Sequence, residues 1–394
     1  VKYTASDSGS GVGTVYVKKP GSSAFVSYTN GSQLTAEGKY YFKAYDKAGN
    51  ITSTTHEITL DKTAPVGQLK TNGANISNNS YTSKSFSYSA TDSVGVAILQ
   101  MKRPNSSSWE TYTAGTAITG AEGLNYFRAT DLAGNISAES KIFYDTSKPE
   151  ILIIKGDIGS SGQIHTQGLV VNTECIRATA ADAGSGVKAL YVSRNGGAYS
   201  LYTNATEITA DGRYAFYAVN NASVASDTYN IILDKTAPTG SIYCENTKWD
   251  GLSSVTGADY IRFDATDALS GVMACYVLKP GATQFVQCNN TTKFTDEGKY
   301  MFYAIDFGNN ATPMYSITVN HTAPKGDLYI NGELASDNNG YTNAEFISFI
   351  FNEGRGYVIA PNAPSSQYVS GTTYSAEGKY AFWAENEGGQ AGTI

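Results

Sequence analysis

Charge, histidine, cysteine and long apolar runs are all in short supply in this chain. Asp, Glu, Lys and Arg make up 16% of its 394 residues, against about 25% in ordinary domains. The balance is acidic, with a net charge of −7 and no clustered Lys/Arg, which argues against nucleic acid as a partner. No apolar stretch approaches the ~18–20 residues of a membrane-spanning helix. There are three histidines, His56, His165 and His321. No nucleophile–base pair recurs and no glycine loop cradles phosphate, so the chain reads as a non-enzyme. The four cysteines, Cys175, Cys244, Cys275 and Cys288, lack metal-site spacing, and most of the chain has none. Cys275 and Cys288 flank the turn at Lys279–Gln284, which leaves two readings: a cross-strand disulfide, or two small core residues. The sequence starts at Val1 with no Met and no signal-peptide pattern, and is expected to be a piece of a longer protein.

What fills the gap is Gly, Ser, Thr, Asn and Tyr, a β-rich and turn-rich composition. One stretch organises it: Glu37-Gly38-Lys39-Tyr40-Tyr41-Phe42-Lys43-Ala44-Tyr45-Asp46, closed by Ala48-Gly49-Asn50. It returns at Glu122–Asn135, Asp211–Ala218, Glu297–Asp306 and Glu377–Ala384. Period-two alternation puts Phe42 and Ala44 on one face and Tyr41, Lys43 and Tyr45 on the other, and the Gly-Asn end signals a hairpin. A second marker, Asp61-Lys62-Thr63-Ala64-Pro65, has counterparts ending at Pro149, Pro238 and Pro324, so the prolines lie 84, 89 and 86 residues apart. A third, Ala-Thr-Asp followed by Gly-Val, sits at Ala90–Val96, Ala180–Val187 and Ala265–Val272, with a related copy at Ala5–Val12. Self-similarity at a fixed period is the mark of a repeat architecture.

Each period carries about seven short strand signals, with turns every 8–12 residues and no sustained 3.6-residue period, which predicts an all-β sandwich. The expected modules span residues 1–62 (lacking its first strand), 63–147, 148–236, 237–322 and 323–394. The last is the most divergent, with Phe346–Glu353 in place of the Ala-Thr-Asp pattern and no closing strand.

The Asp-Lys-Thr-Ala-Pro linker, the Ala-Thr-Asp turn and the Glu-Gly-Lys-Tyr hairpin together resemble bacterial immunoglobulin-like domains of the Big type, the tandem modules of large surface and secreted proteins. The resemblance covers essentially the whole chain. It implies a tandem array of Ig-like Greek-key β-sandwich modules of about 85 residues, an exported protein at the bacterial cell surface or outside the cell, and an extended rod with roughly 35 Å per module at ~3.3 Å per strand residue. It also implies a tyrosine corner at Tyr40, Tyr214, Tyr300 and Tyr380, where a phenol bonds nearby backbone. Asn125 stands at that place in the second copy, which is therefore expected to lose the bond.

An Ig-like sandwich brings the turn after the second strand and the last hairpin to the pole where the chain enters the module. Asp61, Asp92 and Asp131, near Asn135, are thereby expected to gather in one module, and Asp234, Asp267 and Asp306, near Asn309, in another. In 148–236 the set is Asp145 and Asp182, with Asn220 in place of the hairpin Asp; Asn320 replaces the linker Asp of the last module. Clustered carboxylates suit Ca2+, which takes six to eight oxygens. The competing reading is turn chemistry alone, since Asp and Asn cap local backbone.

The outward aromatics Tyr41, Tyr45, Tyr126, Tyr217, Tyr303 and Trp383 allow either a sugar-stacking strip or cross-strand packing. The leading functional reading is a stalk or fibre segment whose partners are neighbouring modules of the same longer chain. Two others stay open. One is an adhesin array holding a host glycan or protein, with the off-pattern loop Gly156–His165 as candidate. The other is a fibre subunit joining other copies by strand exchange at open sheet edges.

Overall fold

The computed structural model describes residues 1–52, 54–156, 162–164, 168–336 and 340–392. The described residues form strands and turns, with no helix among them. They build a tandem array of Ig-like β-sandwiches around five separate apolar cores.

The sandwich formed by the strands from Thr239 to Val319 serves as the pattern. Its smaller sheet runs Thr247–Lys248, Thr239–Cys244, Ile261–Thr266 in spatial order. The larger runs Val255–Thr256, Tyr315–Val319, Gly298–Asp306, Val272–Leu278, Val286–Cys288. Pairing is antiparallel except between Val255–Thr256 and Tyr315–Val319. Alternation places Ile261, Phe263, Cys275, Val277, Phe302 and Ala304 inward, where all are buried. Gly240 follows the linker proline because a Cβ there would lie 2.6 Å from the Phe263 ring; the close approach of strand to ring admits no side chain.

The same design recurs around Phe127 and Phe216, whereas around Phe382 one sheet runs Glu333–Leu334, Gly326–Ile330, Ile347–Phe351, Thr373–Tyr374 and the other Ser366–Tyr368, Arg355–Ile359, Ala381–Glu385. The short parallel strand returns as Ser80–Thr82 against Ser140–Tyr144 and as Leu169–Val171 against Tyr229–Leu233. In residues 1–62 the larger sheet has four strands, Val26–Tyr28, Val12–Lys18, Gly38–Asp46 and His56–Leu60 in order.

Three expectations are corrected, at Asn125, at Tyr300 and at the pair Cys275 and Cys288. Asn125 keeps the corner bond: its amide donates to the carbonyls of Ala121 at 2.9 Å and Gly123 at 3.0 Å. The first is the acceptor four residues back that Tyr40 reaches at 2.7 Å, Tyr214 at 2.6 Å and Tyr380 at 3.0 Å in their own modules. Tyr300 is buried with its hydroxyl outside hydrogen-bond geometry. The disulfide reading also fails. Cys275 and Cys288 are directly opposite in register, yet both are free thiols. Burial, with Cys275 adjoining, pushes the Cys288 thiol up to about 12, and burial raises Cys275 too. Oxidation needs the thiolate, which this apolar setting disfavours.

Candidate metal centre at the module joints

The carboxylates of Asp61, Asp92 and Asp131 present oxygens within 4.8 Å of one another, as do those of Asp234, Asp267 and Asp306. Three elements supply each cluster. Asp61 lies in the linker after His56–Leu60, Asp92 follows Phe86–Thr91, and Asp131 ends Gly123–Asp131. Asp131, Asp234 and Asp306 are buried, while Asp61, Asp92 and Asp267 are half-buried.

Turn chemistry is present as well. Asp92 Oδ1 accepts from the Val94 N–H at 2.8 Å. Asp131 Oδ1 accepts from Ala133 and Asn135 N–H, both at 2.8 Å, and its Oδ2 from the Asn135 amide at 2.8 Å. Burial raises the Asp131 carboxyl, but these donors outweigh it and hold the group below its ordinary value. Asp267 Oδ1 caps Leu269, Ser270 and Gly271. Asp234 ties the linker to that same loop, accepting from Thr236 N–H through Oδ1 and from Ser270 N–H through Oδ2. Asp61 Oδ2 is shielded from solvent with no hydrogen-bond partner. Each aspartate therefore caps its own turn, and the caps aim three charges at one point, where they repel without a cation.

Among the described residues, no third carboxylate joins Asp145 and Asp182. Asn220 stands there, fully buried, with Nδ2 at 3.0 Å from Asp145 Oδ2 and 3.4 Å from Asp182 Oδ2. Burial raises the Asp145 carboxyl, but the hydroxyls and N–H groups of Ser147 and Ser185 lower it further, to about 2. At the last joint Asn386 Nδ2 donates to the linker carbonyls of Asn320 and Thr322.

One recurring contact escaped sequence reasoning. The acid before the glycine that opens the long strand reaches forward to hold the linker. Glu37 accepts from Lys62 N–H at 2.7 Å and the Thr63 hydroxyl at 3.1 Å. Glu122 holds Thr146, Asp211 holds Lys235 and Thr236, and Glu297 holds His321 and Thr322. The Thr322 hydroxyl is the main influence that lowers the Glu297 carboxyl. The signal was the co-occurrence of that acid with a Thr one or two residues after the linker Asp or Asn.

The outward aromatics are engaged within their modules. Tyr217 stacks on Tyr191 at 4.8 Å, Tyr303 on Tyr276 at 4.9 Å and Trp383 on Tyr357 at 5.3 Å. Tyr45 meets Tyr16 edge-on, and Tyr41 and Tyr126 lie under Lys18 and Lys102. Of the off-pattern loop, residues 157–161 and 165 lie outside the described residues.

No protein-family model and no curated protein matches the chain. Among solved structures it is similar to the fibronectin(III)-like modules of Clostridium thermocellum CbhA, at 14% identity and a TM-score of 0.23, covering 42% of this chain and 92% of that one. It is similar to a tetra-tandem repeat in the extending region of a large adhesion protein, at 14% identity and 0.27, covering 78% and 92%. A third is the human desmocollin-1 ectodomain, at 10% identity and 0.17, covering 97% and 91%. Likeness at this level says nothing of function.

Proposed function

We propose that the chain is a structural segment of a bacterial cell-surface or extracellular repeat protein, spacing or presenting other domains, and that Ca2+ stiffens two of its joints. The ions would sit at Asp61/Asp92/Asp131 and Asp234/Asp267/Asp306. The observation that carries this is the convergence of three carboxylates within 4.8 Å, one of them from the linker, at both places. The donors are hard oxygens, as Ca2+ requires, with water and carbonyl oxygens left to complete its shell. An ion shared by a linker aspartate and two loops of the next module fixes the angle at which that module leaves the linker. Repetition of one sandwich suits a spacer.

Thermal unfolding of the full chain in calcium and in a chelator, with calorimetric titration for stoichiometry, tests the reading. A ligand that binds only the folded state at a hundred times its Kd adds about 2.7 kcal/mol, so a rise of several degrees is expected, with two ions per chain. Asp92→Asn combined with Asp267→Asn should abolish both effects. Superimposable melting curves with and without calcium would leave turn capping as the only role of these aspartates.

A further inference from the structure

We infer that the joint at Asp145 needs no cation, because the amide of Asn220 closes it, so that one chain alternates cation-dependent and amide-pinned joints. The inference rests on the calcium reading above and divides its sites.

A paired substitution carries it. Where the long strand ends in aspartate, the residue four further on is asparagine: Asp46 with Asn50, Asp131 with Asn135, Asp306 with Asn310. That asparagine's Nδ2 returns to the aspartate Oδ2 at 2.7, 2.8 and 2.8 Å. In the two modules with a described linker it also reaches the linker carbonyl, Asp61 at 3.1 Å and Asp234 at 3.0 Å. Where asparagine takes that place, at Asn220 and at Asn386 just past Ala381–Glu385, the residue four on is Val224 or Gln390. The strand-end amide then reaches the linker itself, Asn220 to the Ser147 carbonyl at 3.0 Å and Asn386 to that of Thr322 at 2.8 Å.

The turn does not require the exchange. The N–H of the fourth residue bonds the strand-end Oδ1 at 2.8 Å in all five copies. What the exchange changes is the group facing the other two carboxylates. At Asn220 an NH2 replaces a carboxylate oxygen and donates toward Asp145, Asp182 and the Ser147 carbonyl together. The cluster loses one negative charge and gains the positive end of an amide dipole where a cation would bind. An ion would have to expel a buried, hydrogen-bonded amide and would meet two carboxylates rather than three. The joint at Asn320 carries the same pin and adds direct docking: Gln390 Nε2 donates to the Gly257 carbonyl at 2.8 Å, and His321 Nε2 lies 2.5 Å from that of Ala258. Along the chain the joints at 61, 145, 234 and 320 therefore alternate in kind.

Hydrogen exchange on the full chain, in calcium and in chelator, tests this segment by segment. Residues 92–96, 182–187 and 267–271 hold equivalent capped loops, whose Val94, Gly186 and Gly271 N–H groups bond Asp92, Asp182 and Asp267. Chelation is expected to speed exchange at least tenfold in the first and third and to leave 182–187 unchanged. Asn220→Asp should make 182–187 calcium-responsive and raise bound calcium from two ions to three. A chelator response at 182–187 in the unaltered chain, equal to the other two, overturns the inference and leaves the calcium reading standing. No response at any of the three segments overturns the calcium reading and this division with it. If Asn220→Asp folds but takes no third ion, the amide is not what closes the site and the inference falls. If that variant does not fold, the three segments of the unaltered chain decide the matter alone.

Discussion

At position 125 an amide stands where Tyr40, Tyr214 and Tyr380 use a phenol, and it reaches the carbonyl four residues back as they do. The bond is fully buried there, whereas that of Tyr380 is open to solvent. Asn125→Ala would leave the carbonyls of Ala121 and Gly123 without this donor in a dry place, which costs about 1–3 kcal/mol. Tyr380→Phe removes one solvated bond and should cost under about 1 kcal/mol. Urea unfolding of the two variants checks the order; equal, small losses would mean that ring packing alone makes the corner. Tyr40, Tyr214 and Tyr380 make the bond that the resemblance implied, whereas the buried Tyr300 does not. Asn125 was misread because residue type does not tell which carbonyl lies within reach. The free thiols of Cys275 and Cys288 teach the same lesson: spacing placed them opposite each other, but their protonation state depends on burial that only the packed core supplies.

The strands Gly38–Asp46, Gly123–Asp131 and Gly298–Asp306 each open on a glycine pressed against a proline of the neighbouring hairpin. Gly38 has φ +123°, and a Cβ there would lie 2.4 Å from Pro20 Cβ; Gly298 repeats this against Pro280 at 2.7 Å. In module 148–236 there is no such proline, and a Cβ on Gly212 would meet the movable Arg194 side chain at 2.9 Å. Gly38→Ala combines left-handed strain with a backbone-anchored clash and should cost about 2 kcal/mol or more, while Gly212→Ala should cost under about 1 kcal/mol. Pro20→Ala combined with Gly38→Ala should recover the steric share and leave the φ strain. Chemical unfolding checks this, and equal costs for Gly38→Ala and Gly212→Ala would refute it. At this scale the antiparallel strands were readable, because Ile261, Phe263, Cys275, Val277 and Phe302 alternate with outward residues. The parallel strands Ser80–Thr82, Leu169–Val171 and Val255–Thr256 were not. Two or three residues carry no alternation, and their partner lies about 60 residues away. The Glu37-type latch was hidden for a related reason: an acid before glycine is ordinary turn composition until the linker is seen folding back onto it.

Taken whole, the chain keeps its apolar clusters apart and joins them by polar contacts. The five cores draw on Val1–Leu60, Leu69–Tyr144, Ile151–Leu233, Ile242–Val319 and Leu328–Ala384, with no residue shared. Across the joints run the acid latches, the aspartate or amide groups at each linker, the Gln390–Gly257 contact and a hydrogen bond from the Arg213 guanidinium to the Leu269 carbonyl. A hydrogen bond contributes about 0.5–1.5 kcal/mol net and an exposed ion pair about 1 kcal/mol or less, whereas a buried aromatic contributes about 3–5 kcal/mol when truncated. Cooperativity should therefore stop at the joints. Differential scanning calorimetry of the full chain is expected to give a calorimetric enthalpy well above the van't Hoff value. Phe216→Ala, in a core position with no exposure, should lower one component of the trace and leave the rest in place. A single transition with equal enthalpies, shifted as a whole by Phe216→Ala, would mean that the joints transmit unfolding from core to core. The polar contacts would then be strong enough to make the array one cooperative body with no ion bound.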